Sequence, residues 1–110
     1  QPNADLLVVT ETGIGKRTPL SEYPTYRRGA KGVITLKMVE ERHGRLVAIK
    51  VVTEGNDVII VSEQGVLIRI PVQEIRQSGR ATQGVQLMNL DAQDRVSAVA
   101  QVVTREDEED

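Results

Sequence analysis

The chain has 110 residues, about one domain by size and enough to enclose a core. It holds no Cys, Phe or Trp, and its apolar residues are mostly Val and Ile, twenty-four against eight Leu; this excludes disulfides and cysteine-ligated metals and favours pleated strands over helices. The formal charge of -2 hides a division, because residues 106–110 carry five acids while residues 1–104 carry 13 Lys and Arg against 11 Asp and Glu.

Residues 1–4 are polar, contain Pro2 and read as a linker remnant. Residues 5–10 are too short for a helix and β-branched, which predicts a buried strand. Gly13 supplies positive φ for a hairpin loop with a bulge, and Ile14 to Thr18 returns as a second strand that carries Lys16 and Arg17 out of its end. Pro19, lacking an N–H, stops the ladder. One helical turn is expected over residues 20–24, a basic loop over 26–32, an alternating strand over 33–39, a polar turn over 40–44, and a fourth strand over 46–52. Residues 53–56 end the unit with turn chemistry.

The plan then repeats. Shifting the sequence by 52 residues aligns Asp5 with Asp57, Gly13 with Gly65, Arg17 with Arg69, Pro19 with Pro71, Glu22 with Glu74, Arg28 with Arg80 and Gly32 with Gly84. The second unit is expected to have strands at 58–62, 66–70, 85–90 and 96–103, a short turn over 72–75, a loop over 76–84 and a turn over 91–94. Four strands in about 50 residues is the arithmetic of a propeller blade. The sequence therefore predicts an all-β, propeller-like pair of four-stranded antiparallel blades, residues 5–55 and 56–104, followed by an acidic disordered tail at 105–110. Two repeats are few for such an array, so the chain is expected to belong to a longer repeat protein or to self-associate through open flanks.

No apolar stretch approaches the roughly 18 residues of a membrane span, and no charged-then-apolar leader opens the sequence. Lone His43 reads as a turn residue, and Asp91 and Asp94 as solvated turn carboxylates rather than a metal pair. No catalytic triad, phosphate loop or metal-ligand spacing is present, so the chain itself is not expected to be a catalyst or to hold a cofactor.

Residues 26–32, Tyr-Arg-Arg-Gly-Ala-Lys-Gly, resemble the seven-residue box of the C-terminal domain of the DNA gyrase A protein, typically Gln-Arg-Arg-Gly-Gly-Lys-Gly; they depart from it at Tyr26 and Ala30. Residues 12–24 with 31–34 are similar to the penultimate blade of that domain, and residues 79–85 with the acidic end to its last blade. The resemblance implies two blades of a six-bladed β-pinwheel whose basic rim bends duplex DNA and supports negative supercoiling by a bacterial type IIA topoisomerase. It also implies a cytoplasmic, nucleoid-associated parent with gyrase A and B subunits as partners, the remaining blades as neighbours, and ATP and Mg on the other subunit. The A subunit of topoisomerase IV and a protein-binding propeller are the alternatives.

On this reading the DNA-binding residues are Lys16, Arg17, Arg27, Arg28, Lys31, Arg69, Arg76 and Arg80, with Gly29, Gly32, Gly79 and Gly84 as box glycines. Arg and Lys side chains would meet phosphates, and glycines would let backbone N–H groups approach an anion. Duplex DNA fits better than single strands, which rely on aromatic platforms, because only Tyr23 and Tyr26 are available. A strand-cleaving role for either tyrosine is not expected. The acidic tail is expected either to aid solubility or to compete with DNA for the rim.

Overall fold

The structure, a computed structural model, describes residues 4–22, 44–77 and 84–103. The basic loop at 26–32, the strand expected at 33–39, residues 78–83 and the acidic tail lie outside the described residues. Within them the chain is all-β, with two antiparallel sheets and two single 3-10 turns. No helix among the described residues is long and apolar enough to cross a membrane.

Each half begins with a hairpin. Strand β1 (Asp5–Thr10) pairs with β2 (Ile14–Pro19), and β4 (Asp57–Ser62) pairs with β5 (Leu67–Pro71). Both turns depend on glycine, because Gly13 and Gly65 sit at φ 87 and 92, a region costly for residues with a Cβ. In each turn a hydroxyl one strand-end back accepts a backbone bond: Ile14 N–H to Thr10 Oγ1 at 3.3 Å and Val66 N–H to Ser62 Oγ at 3.1 Å. A 3-10 turn follows each hairpin, at Leu20–Glu22 and Val72–Glu74. Strand β3 (Leu46–Val52) then returns to β1 and β7 (Val96–Val102) to β4. Even the register shift repeats, between Val9 and Thr10 in one half and between Val61 and Ser62 in the other.

The sheets do not follow the repeat boundary. Strand β6 (Val85–Gln86) belongs to the second repeat but pairs with β2 of the first, so the sheet orders are β3-β1-β2-β6 and β5-β4-β7. The strand expected over 85–90 is thus only two residues long, and it completes the neighbouring sheet instead of its own. Side-chain bonds explain why it stops. Gln86 Nε2 donates to the carbonyls of Met88 (2.7 Å) and Thr12 (3.0 Å), which bends the segment around the first hairpin's tip. Leu87 N–H donates to Gly13 O at 2.8 Å.

The two halves share one core. Leu7, Val9 and Val52 from the first pack with Val58, Ile60, Val72, Ile75, Met88 and Val96 from the second. Each such side chain contributes about 1.5–3 kcal/mol when fully removed from water. Strand β3 also runs against β7, where Gln101 Nε2 donates to Val51 O (2.9 Å) and Asn56 Oδ1 (2.8 Å). Directly opposed residues of an antiparallel pair share a face. Hence Asp5, Leu7 and Val9 lie on one face with Gly15 and Arg17, and the second repeat covers that face.

Candidate nucleic-acid interface

Of the eight cations expected at a DNA-facing rim, Lys16, Arg17, Arg69 and Arg76 are among the described residues; Arg27, Arg28, Lys31 and Arg80 are not. The four are not equivalent. Arg69 and Arg76 are exposed, as expected for residues that meet a polyanion. Lys16 and Arg17 are not carried out of the strand end; they are 3% and 2% exposed, a correction to their expected placement.

Lys16 lies opposite Val8 on the other face of the sheet; for Arg17 the cause is an ion-pair network. Its Nε donates to Asp5 Oδ2 at 2.6 Å, and its Nη2 to Glu54 Oε2 at 3.0 Å. Its Nη1 donates to two carbonyls of the second repeat, Val72 O (3.1 Å) and Ile75 O (2.7 Å). The other Asp5 oxygen accepts from Gln77 Nε2 at 3.0 Å. Each of the three guanidinium nitrogens therefore has a protein acceptor, and the side chain joins one repeat to the turn of the next. The planar fork of arginine suits this many-partner role in a way lysine does not.

The repeat contains the same pair a second time: Arg69 Nε donates to Asp57 Oδ2 at 2.6 Å. Here the arginine side chain is 55% exposed, against 3% for Arg17, because no further turn covers it among the described residues. The 52-residue register marks both arginines and both aspartates as repeat identities without pairing them. A pairing signal is nevertheless present, since Asp and Arg stand twelve residues apart in each repeat and are diagonal neighbours on one face of a hairpin.

The box glycine that is described, Gly84, has a packing task. It sits at φ 105, and a Cβ there would lie 2.8 Å from Gly15 O. Its bare backbone lets the segment enter β6 against β2. Gly15 in turn lacks the Cβ that would strike the Leu87 side chain.

Asp94, expected as a solvated turn carboxylate, is half-buried and hydrogen-bonded within and across its turn. Desolvation pushes its pKa up, but hydrogen bonds from the Ser62 hydroxyl and from the N–H groups of Gln64, Arg95 and Glu63 outweigh it and hold the carboxyl below its ordinary range. Two of those bonds measure 3.0 Å from Gln64 N and 2.8 Å from Arg95 N. Among the described residues no group of His, Asp and Glu is arranged to hold a metal ion.

The arrangement defines a class: a β-repeat protein of the propeller type, in which a strand of one module completes the sheet of its neighbour and exposed cations remain on the flank and loop. The family described as the DNA gyrase C-terminal domain, a beta-propeller, matches residues 4–53 and 56–102, and the chain belongs to it. Its relatives include the A subunit of DNA gyrase from Staphylococcus epidermidis, 48% identical over 103 residues covering 94% of this chain. The A subunit of Staphylococcus aureus DNA gyrase is 48% identical over 106 residues, 96% of the chain. The chain spans 11 to 12% of the length of these relatives. A solved DNA gyrase A C-terminal domain shares the fold with a TM-score of 0.67 at 20% identity, over 90% of this chain and 33% of that one.

Proposed function

We propose that this chain is a DNA-binding and DNA-wrapping module of the A subunit of DNA gyrase, and that its cations bend duplex DNA to support negative supercoiling by an ATP-dependent type IIA topoisomerase. The supporting observation is the family match along both repeats, read together with the three cations and two glycines of residues 26–32. That near-complete heptad favours gyrase over the A subunit of topoisomerase IV, whose boxes are degenerate. Partners in the parent enzyme are the gyrase A and B subunits and the neighbouring blades, in the bacterial cytoplasm. ATP and Mg belong to the other subunit.

The geometry narrows the set of contacts. Arg17 is committed to Asp5, Glu54 and two carbonyls, so it supports the scaffold instead of meeting phosphate. The contacts fall to Arg27, Arg28, Lys31, Arg69, Arg76 and Arg80. Bending 20–30 base pairs costs on the order of 1–6 kcal/mol, which sequence-independent phosphate contacts must offset.

Fluorescence anisotropy with a 30-base-pair duplex over a salt series tests this. With about five phosphates neutralised, log K falls against log salt with a slope near -4 to -5. Replacing Arg27, Arg28 and Lys31 together by alanine lowers the slope by about 3. Binding that ignores salt, or that prefers other polyanions of equal charge density, overturns the proposal and favours a protein-binding module.

A further inference from the structure

The contacts that lock Arg17 into the scaffold also fix the chain before and after an exposed cation. Arg17 Nη1 donates to Ile75 O at 2.7 Å, and the Ile75 side chain is buried in the shared core. Two residues on, Gln77 Nε2 donates to Asp5 Oδ1 at 3.0 Å, and Gln77 forms a parallel bridge with Arg17 itself. Arg76 stands between these two anchors. Ile75 has φ -88 and ψ 118, an extended backbone in which successive side chains alternate in direction. Ile75 and Gln77 therefore face the first repeat, and Arg76 is turned away from it and is exposed.

Arg76 differs from the other described cations expected at the rim. Lys16 and Arg17 are buried, and Arg69 is paired with Asp57. Arg76 is in no ion pair among the described residues. It also lies at the junction of the two repeats, where both modules are present and hold the residues before and after it.

We propose that Gln77 is a positioning residue for duplex binding, which by tying the chain to Asp5 holds Arg76 in place for a DNA phosphate; this rests on the reading of the chain as a DNA-binding module. A side chain or segment that must be ordered when a partner binds takes that cost out of the affinity, whereas one fixed beforehand does not. Both oxygens of the Asp5 carboxylate are engaged, Oδ2 by Arg17 and Oδ1 by Gln77. The guanidinium already compensates the charge, so the Gln77 amide adds direction and not neutralisation. Losing the amide therefore leaves Asp5 paired and the module junction closed. One carboxylate of the first repeat thus serves both the packing of the second and the placement of its cation.

A double-mutant cycle in the full chain tests this, with fluorescence anisotropy of a 30-base-pair duplex over a salt series as the readout. Arg76→Ala is expected to lower the salt slope by about 1, because one phosphate contact is lost. Gln77→Ala removes no charge, so it is expected to leave the slope unchanged and to weaken binding about two- to tenfold at every salt concentration. In the Arg76→Ala background the same change is expected to have no further effect, whereas its effect adds in full to that of Arg69→Ala. A purely structural role for Gln77 would weaken binding equally in all three backgrounds. Gln77→Asn, one methylene shorter, is a second variant of the same kind, and circular dichroism checks that each chain keeps its strand signal. A Gln77→Ala chain that binds like the unmodified one, a loss that persists in full without Arg76, or an unchanged slope in Arg76→Ala overturns the inference, while the salt slope of the unmodified chain leaves the DNA-binding reading standing. A slope near zero in the unmodified chain overturns that reading and the inference together.

Discussion

The clearest test of the repeat is to remove the same arginine twice. Arg17→Ala takes away the partner of a carboxylate that is itself 3% exposed, leaving Asp5 with the bond from Gln77 Nε2 among the described residues. Breaking a buried pair from one side costs about 3–5 kcal/mol, because the remaining charge stays buried without compensation. Two carbonyls are orphaned unequally: Val72 O keeps the N–H of Ile75 at 2.9 Å, whereas Ile75 O loses its 2.7 Å donor. Arg69→Ala breaks an ion pair of the same 2.6 Å length, but the arginine side chain is 55% exposed, and exposed pairs are worth about 0–1 kcal/mol.

In urea unfolding the first variant is therefore expected to lose at least about 3 kcal/mol, and the second no more than about 1. A domain of this size holds only about 5–15 kcal/mol, so Arg17→Ala lowers the melting temperature by more than about 12 °C. If the two variants cost the same, or if Arg17→Ala is nearly neutral, the covered face does not hold the repeats together and the reasoning fails.

Both hairpin glycines need positive φ, but only one is enclosed. Gly65→Ala is expected to cost about 1–2 kcal/mol from backbone strain alone, and Gly13→Ala more, since its Cβ would lie 2.5 Å from Met88 O; thermal melts compare them. Gly15→Ala displaces Leu87 and should destabilise, and Leu87→Ala in the same chain should restore part of the loss, read as a coupling energy of about 1 kcal/mol in a double-mutant cycle. Asp94 has a depressed pKa, so its contribution is present above the unfolded carboxylate value and is lost as pH falls through the lower folded one. Asp94→Asn is expected to flatten the acid limb of the stability profile, and an unchanged limb would show that the turn does not depend on the charge. Deleting residues 105–110 is expected to tighten duplex binding at low salt if the acidic end competes for the cations, with the difference fading as salt rises.

What is legible in the sequence follows from local chemistry. Short β-branched runs and glycines at fixed offsets locate β1, β2, β3, β4, β5 and β7 to within a residue or two, because strand length and positive φ are decided within a few neighbours. Strand β6 departs from its expected length for a reason that composition cannot carry. Residues 85–90 have the apolar content of a strand, but the Gln86 side chain bonds back to Met88 O and ends the ladder after two residues. Arg17 reads as a surface cation for a related reason. Its fate depends on carbonyls 55 and 58 residues away, and no pattern within its own repeat distinguishes it from Arg69.

Repeats identical in sequence motif are therefore not identical in duty. The Asp–Arg pair occurs in both repeats, yet the first arginine is 3% exposed beneath the second repeat's turn and the second arginine is 55% exposed. The difference requires no substitution at the arginine: Arg17 also meets the Val72 and Ile75 carbonyls, and no such turn lies against Arg69 among the described residues. On the proposed function Arg69 is the member of the pair left to meet phosphate, so Arg69→Ala is expected to reduce the salt slope of duplex binding by about 1. A slope unchanged by Arg69→Ala would place that cation outside the DNA interface.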